Sequence, residues 1–355
     1  MTKVQMRNAW FQVHKWIGIV LAIILIPLSF TGSMLVWDEP LDRLLEPSHY
    51  TAAGPARLPV SAYVATARQA LPAGSRIVSV AIGEGPVMVT AMPPQPSAMR
   101  GPPLRLAAWV DPASGKLIDS GLSISPVMRW AHIFHGSLQI PGSGRAVVGW
   151  LGVAMLISSL TGIWLWWPLT GNWTRGFRWK RQSALDANLH HLVGFWISLP
   201  LAILSLTGVI IAWPQMTGTG GMRRPMATPL VRTHLTVDQA LAAASAKGSA
   251  TVTWPTDKAA TWTIKAGRAA LSVDDASGAV LPSKAQTRTR PFSRRLHDGT
   301  GMGLVWQLII FLGGIAPALL GVTGIIMWLR TRTWRNAVAR RRATAFERQA
   351  EEEIA

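Results

Sequence analysis

The sequence predicts a membrane protein: a four-transmembrane-helix bundle made by tandem repetition of a helix–domain–helix unit, with two small α+β domains on one side. Three observations lead there. First, the runs 17–37, 146–167, 192–213 and 303–329 contain no Asp, Glu, Lys or Arg. About 20 apolar residues span a bilayer, and hydrocarbon offers no partner to an unpaired amide, so each run reads as a helix. Second, the runs repeat in pairs without gaps. His14, Gly18, Thr31, Gly32 and Trp37 recur as His190, Gly194, Thr207, Gly208 and Trp213. His135, Gly152, Thr161, Gly162 and Trp166 recur as His297, Gly314, Thr323, Gly324 and Trp328. Third, the segments that follow the first and third runs carry matching helix, strand and turn signals.

The elements follow in chain order. Lys3, Arg7 and Lys15 precede or open the first run, and no small-residue cleavage site follows it closely, so it is expected to stay as an uncleaved signal anchor. Residues 60–71 then read as a short amphipathic helix, followed by strands at 77–82, 87–92 and 104–110 and a turn over Asp111 to Gly115. Residues 92–103, rich in Pro, Met and Gly, read as a mobile loop, and 125–139 as a helix carrying His132 and His135. The loop after the second run is basic, with Arg175, Arg178, Lys180 and Arg181. Beyond the third run, 218–229 resembles the earlier loop. Residues 235–246 form a second short helix with Thr236 as N-cap, and strands follow at 250–254, 261–265 and 270–273. A turn over Asp274 to Gly278 closes this segment. The fourth run leads into a tail with Arg330, Arg332, Arg335 and Arg340 to Arg342. With four spans, the three basic segments share one side, expected to be cytoplasmic.

Composition narrows the chemistry. The net charge of +18 suits cytoplasmic flanks against anionic lipid, with attraction of anionic substrates to the outer domains as the alternative. No nucleic-acid-binding signature is present, so no nucleic-acid partner is expected. The absence of cysteine excludes disulfides, thiolate metal sites, iron–sulfur clusters and covalent Cys-x-x-Cys-His haem attachment. Gly299-x-Gly301-x-Gly303 precedes a membrane helix rather than opening a strand–turn–helix unit, so it is not a dinucleotide motif.

The histidines carry the chemical signal. His14 and His190 fall at the cytoplasmic ends of helices 1 and 3, and His135 and His297 at the opposite ends of helices 2 and 4. Neutral imidazole binds iron, and two imidazoles from facing helices fill both axial positions of a haem. Two haems at two depths would connect the faces of the membrane. Direct binding of iron, zinc or copper by the same pairs is the competing chemistry, although no acidic residue lies in a spanning run to serve a proton-coupled transporter. The blandest alternative is an interfacial histidine that merely snorkels. His132, three residues before His135, is the alternative outer ligand. His191 points about 100° away from His190 and cannot share its iron. His49 and His234 lack repeat partners and read as surface residues. Gly18 and Gly194, one turn from their histidines, leave room for a flat macrocycle. The four Thr-Gly pairs read as close helix packing, with Thr bonded to a backbone carbonyl, rather than as quinone or propionate contacts. Arg129, Arg145, Arg294 and Arg295 are candidate propionate partners at the outer site, as are Arg7 and Lys15 at the inner one. Met92, Met99, Met216, Met222 and Met226 read as packing or loop residues rather than a ligand surface.

The helix, strands and Val-Asp-x-x-x-Gly turns (110–115 and 273–278) resemble the PepSY domain. Joined to His-x-x-x-Gly and Thr-Gly-x-x-x-Trp-like helices, nearly the whole chain resembles the PepSY-associated transmembrane family, which includes inner-membrane ferric-siderophore reductases that carry b-type haem. The resemblance implies a bacterial inner-membrane oxidoreductase with two b-type haems. His14, His190, His135 and His297 would be the iron ligands. Electrons would pass to a ferric siderophore, reducing Fe(III) to Fe(II). No flavin domain is visible, so the donor is a quinol or a cytoplasmic reductase. A non-redox PepSY protein that binds peptides or regulates a partner, and a siderophore or metal permease, remain as alternatives.

The expected organisation runs as follows. Residues 1–12 are a cytoplasmic N-terminus, 13–37 helix 1, 38–124 a periplasmic PepSY-like domain and 125–143 an interfacial helix and loop. Residues 144–168 are helix 2, 169–188 a cytoplasmic loop and 189–213 helix 3. Residues 214–296 form a second periplasmic PepSY-like domain, 297–329 helix 4 and 330–355 a basic cytoplasmic tail.

Overall fold

The computed structural model describes residues 2–51, 54–94, 104–167, 174, 177–178, 182–219, 227–246, 248–267, 269–281 and 291–354. In chain order these form α1 (Lys3–Val36), α2 (Asp38–Leu45), a 3-10 turn (Pro47–His49) and α3 (Val60–Ala70). Strands β1 (Arg76–Ile82), β2 (Val87–Met92), β3 (Leu106–Val110) and β4 (Leu117–Leu122) follow. Next come α4 (Pro126–Ser137), α5 (Gly144–Trp166), α6 (Leu185–Met216) and α7 (Val237–Ala243). The chain continues through β5 (Ala250–Thr253), β6 (Thr261–Ala266), β7 (Ala269–Asp274) and β8 (Val280–Leu281) to α8 (Phe292–Asp298) and α9 (Leu304–Ile354). Arg175, Lys180, Arg181, Met99, Met222 and Met226, used in the sequence reading, lie outside the described residues, as do 95–103 and 220–226 of the two expected loops.

Two compact units result. Met1–Val36, Arg145–Met216 and Ser293–Ala355 make a helical unit; Trp37–Gly144 and Thr217–Phe292 make a sheet unit. In the helical unit α1, α5, α6 and α9 are each long and apolar enough to cross a bilayer. They expose large apolar side chains along their length, among them Ile23 (78%), Phe30 (57%) and Leu199 (63%). That is the arrangement for a lipid solvent, in which every amide is satisfied within its own helix. Small residues let the helices approach. A Cβ added to Gly314 would lie 2.7 Å from the Ser29 carbonyl of α1 and collide with Ser33 Oγ. Ser33 Oγ in turn donates to the Phe311 carbonyl of α9 at 2.8 Å. Arg330 on α9 pairs with Asp186 at the start of α6 at 2.7 Å.

Three boundaries differ from expectation. Helix 1 begins at Lys3, upstream of the apolar run, because residues 3–13 continue its helical hydrogen bonding. The expected fourth helix is interrupted before its apolar stretch. His297 sits on the short α8, and Gly299, Gly301 and Gly303, all at positive φ (77°, 69° and 82°), turn the chain into α9. The basic tail is not separate from that helix: α9 runs on through Arg330, Arg332, Arg335 and the three arginines at 340–342.

The sheet unit corrects the expectation of two separate small domains. The strands form one eight-stranded antiparallel sheet, ordered β4-β3-β2-β1-β5-β6-β7-β8. β1 pairs with β5 from Ser79↔Thr253 to Ile82↔Ala250. Each half alone would leave this strand as an unpaired edge, and joining them removes two edges at once. Helices α3 and α7 bury Tyr63, Val64, Ala67, Val237 and Ala240 with Val80, Val89, Val252, Trp262 and Ile264 in one core. Asp238 Oδ1 on α7 accepts from the Val60 amide at the start of α3 at 2.7 Å. Thr236 and Gln239 form a reciprocal capping box on α7.

Asp275 secures the second half of the sheet. It is 2% exposed and accepts from Trp262 Nε1 at 2.8 Å, the His234 amide at 2.9 Å and the Leu235 amide at 3.2 Å. Asp275→Ala orphans all three donors and is expected to cost about 3 kcal/mol, read as a lowered tryptophan-fluorescence unfolding midpoint of the full chain.

His49, read as a surface residue, is instead buried. Its ring stacks on Trp109 (centroids 3.5 Å apart, planes within 5°), and Nε2 lies 2.7 Å from Asp119 Oδ2. The turn after α2 carries it over β3, and β4, unassigned in the sequence, supplies the carboxylate. The hydrogen bond from His49 holds the Asp119 carboxyl below its ordinary value of 3.8. A depressed carboxyl stabilises the fold above its unfolded value, and that contribution is lost as pH falls through the folded value. The pH dependence of stability below about pH 4 should therefore flatten in Asp119→Asn, measured by acid unfolding of the two chains.

Candidate cofactor site

The helical unit brings His14 of α1 and His190 of α6 together, edge to face. Their ring centroids are 6.4 Å apart and their planes stand at 88°. Each ring is turned by a hydrogen bond on its Nδ1 side. His14 Nδ1 lies 3.1 Å from the Ser158 carbonyl and 3.1 Å from Thr161 Oγ1, both on α5. His190 Nδ1 lies 3.0 Å from Thr323 Oγ1 on α9. A carbonyl only accepts, so Nδ1 of His14 carries the proton and Nε2 keeps its lone pair. Among the described residues neither ring's Nε2 makes a hydrogen bond.

The ring separation is close to that of two imidazoles on one metal. About 2.0 Å for each metal–nitrogen bond and about 1.1 Å from nitrogen to ring centre give about 6.2 Å between centres. Among the described residues no group of three or more His, Asp or Glu side chains gathers for a metal ion. Two imidazoles alone are a poor set for a bare cation but could hold the iron of a haem, whose macrocycle would bring the other ligands. Room exists beside them. A Cβ added at Gly18 would meet nothing within 4 Å, and one at Gly194 only Leu320 Cδ2 at 3.8 Å.

His297 on α8 is held in the same manner. Its Nδ1 lies 3.2 Å from Thr207 Oγ1 and 3.0 Å from the Leu204 carbonyl of α6. His132 and His135 share α4, in the sheet unit. That helix is placed by Asp42, which is buried and accepts from the Ser125 amide at 2.8 Å. Ser125 caps the helix through Met128 N, and Pro126 follows at its first position. His135 and His297 thus belong to different units, and His234 is exposed, as expected.

The candidate propionate partners mostly have other work. Arg7 donates to the Trp167 carbonyl at 3.1 Å and to the Leu165 carbonyl, capping the end of α5. Lys15 bonds Gln12 and lies over the Trp16 ring at 4.9 Å. Arg295 donates to the Thr300 and Gly301 carbonyls at 3.3 and 3.1 Å and shapes the glycine turn. Arg294 is half-exposed and 4.0 Å from Asp298. Arg129 and Arg145 are each partly buried, within α4 and α5.

The feature missed in the sequence is the Thr-Gly pair as an imidazole seat. The threonine hydroxyls do bond their own helices: Thr161 Oγ1 to Ile157 O, Thr207 to Ile203 O and Thr323 to Leu319 O, each at 2.8 Å. They also face histidine, and the glycine beside each makes room. A Cβ on Gly162, Gly208 or Gly324 would lie 3.3, 3.1 or 3.5 Å from Cε1 of His14, His297 or His190. The signal was present, since the Thr-Gly pairs recur in the same registers as the histidines.

No curated protein matches the sequence. The family model described as the PepSY-associated TM region matches residues 11–331. That span holds all four apolar runs, the whole described sheet and every histidine of the chain, and the chain belongs to this family.

Proposed function

We propose that this is a bacterial inner-membrane oxidoreductase that uses two b-type haems to reduce a periplasmic ferric siderophore, with quinol or a cytoplasmic reductase as donor. The observation that carries the reading is the His14–His190 pair, two perpendicular imidazoles at a separation close to that of two ligands on one iron, each bonded through Nδ1 to a threonine. Bound there, haem would supply one-electron transfer within the hydrocarbon layer. The chain's own residues hold and orient the ligands, exclude water with an apolar shell and contribute no acid or base. His135 and His297 are assigned to the second haem by their equivalence in the sequence repeat.

The test is an absorption spectrum of detergent-purified protein, oxidised and dithionite-reduced, with haem stoichiometry. Sharp reduced b-type bands at about two haems per chain support the reading, and reoxidation by a ferric chelate then tests the acceptor. His297→Ala is expected to lose one haem and chelate reduction; retention of both overturns its assignment. A colourless protein from haem-replete cells would favour a regulatory PepSY protein or a permease.

A further inference from the structure

The three described histidine–threonine contacts share one construction. A hydroxyl has a single proton, and in Thr161, Thr207 and Thr323 it points to the carbonyl one turn back, at 2.8 Å in each case. The lone pairs of Oγ1 are what remain for the neighbouring imidazole, at 3.1, 3.2 and 3.0 Å. The threonine is therefore the acceptor and the imidazole Nδ1–H the donor. Each contact also crosses between helices: α1 to α5, α6 to α9 and α8 to α6. Packing alone would need a small residue at these places, not an oxygen aimed at a ring nitrogen.

We propose that Thr161, Thr323 and Thr207 are positioning residues for His14, His190 and His297, each fixing the tautomer and ring angle that present Nε2 to a metal. This rests on the haem reading of the same site. Donation from Nδ1–H also makes the imidazole a stronger base, which favours the ferric state. Each ring also has a backbone carbonyl beside it, Ser158 for His14, Leu204 for His297 and Leu320 for His190, so hydroxyl and carbonyl share each seat.

The experiment compares Thr323→Val, which keeps the shape and removes the oxygen, with Thr323→Ser, which restores the oxygen. Both are made in the full-length chain. Haem loading is measured by haemin titration of haem-depleted protein, and the midpoint potential by spectroelectrochemistry. Thr323→Val is expected to weaken one haem site about 10- to 100-fold and to raise the potential of that haem alone, with Thr323→Ser close to wild type. Equal affinity and potential in Val, Ser and wild-type proteins would overturn the positioning role while leaving the haem reading intact. Should Thr323→Val fail to fold, Thr161→Val and Thr161→Ser carry the same comparison at His14. A wild-type chain that takes up no haem would instead overturn the reading of the site itself.

Discussion

His190→Ala is expected to lower the haem content of the purified chain from about two to about one and to stop reduction of a ferric chelate. His191→Ala should leave both haems in place. The two residues are neighbours on α6, but helical side chains in succession diverge by about 100°. His190 meets His14 across 6.4 Å and has its Nδ1 on Thr323. The comparison separates a ligand from a general loss of structure, since both substitutions remove the same imidazole from the same turn of helix. Loss of haem from His191→Ala with retention in His190→Ala would mean that the ligand is misassigned, and that the His14–His190 geometry serves packing.

A large stability effect is expected at Gly314. A methyl group there would lie 2.7 Å from the Ser29 carbonyl and collide with Ser33 Oγ. Neither neighbour is the free end of a flexible chain. The carbonyl belongs to α1, and Ser33 is buried at 2% exposure and bonded to Phe311 O. α1 and α9 must then separate, which opens apolar contact along both helices. Gly314→Val is expected to destabilise the fold by about 3 kcal/mol, read as a lowered thermal midpoint in detergent. Gly83→Ala, whose new methyl meets nothing within 4 Å, should leave that midpoint near the wild-type value. Equal midpoints in the two variants would show that the α1–α9 contact is looser than its geometry.

Much of this architecture was legible in the chain because hydrocarbon permits few solutions. A run without charge must be a helix there, and all four were found from composition alone. The short helices α3, α4 and α7 and six strands followed from periodicity and turn chemistry, whereas α2 and α8 did not. β4 escaped because Leu117–Leu122 alternates exposed and half-buried positions and carries Asp119, Ser120 and Gly121, which are weak strand formers. β8 has two residues and both are exposed. The joining of the halves was hidden because β1–β5 pairing is a backbone event between distant segments, and nothing in either strand's side chains names its partner. The meeting of His14 with His190 followed from the repeat, whereas their threonines did not. A hydroxyl bonded to its own helix already looks satisfied, and only coordinates show which way its lone pairs face.

Helix α6 has a consequence for how this chain can change length. It bears His190 near its start and Thr207, the seat of His297, farther along the same rod. Each residue inserted between them would move the seat by about 1.5 Å and swing it by about 100° around the axis. The stretch between these two positions therefore works as a gauge block, intolerant of insertion or deletion even where individual apolar side chains are interchangeable.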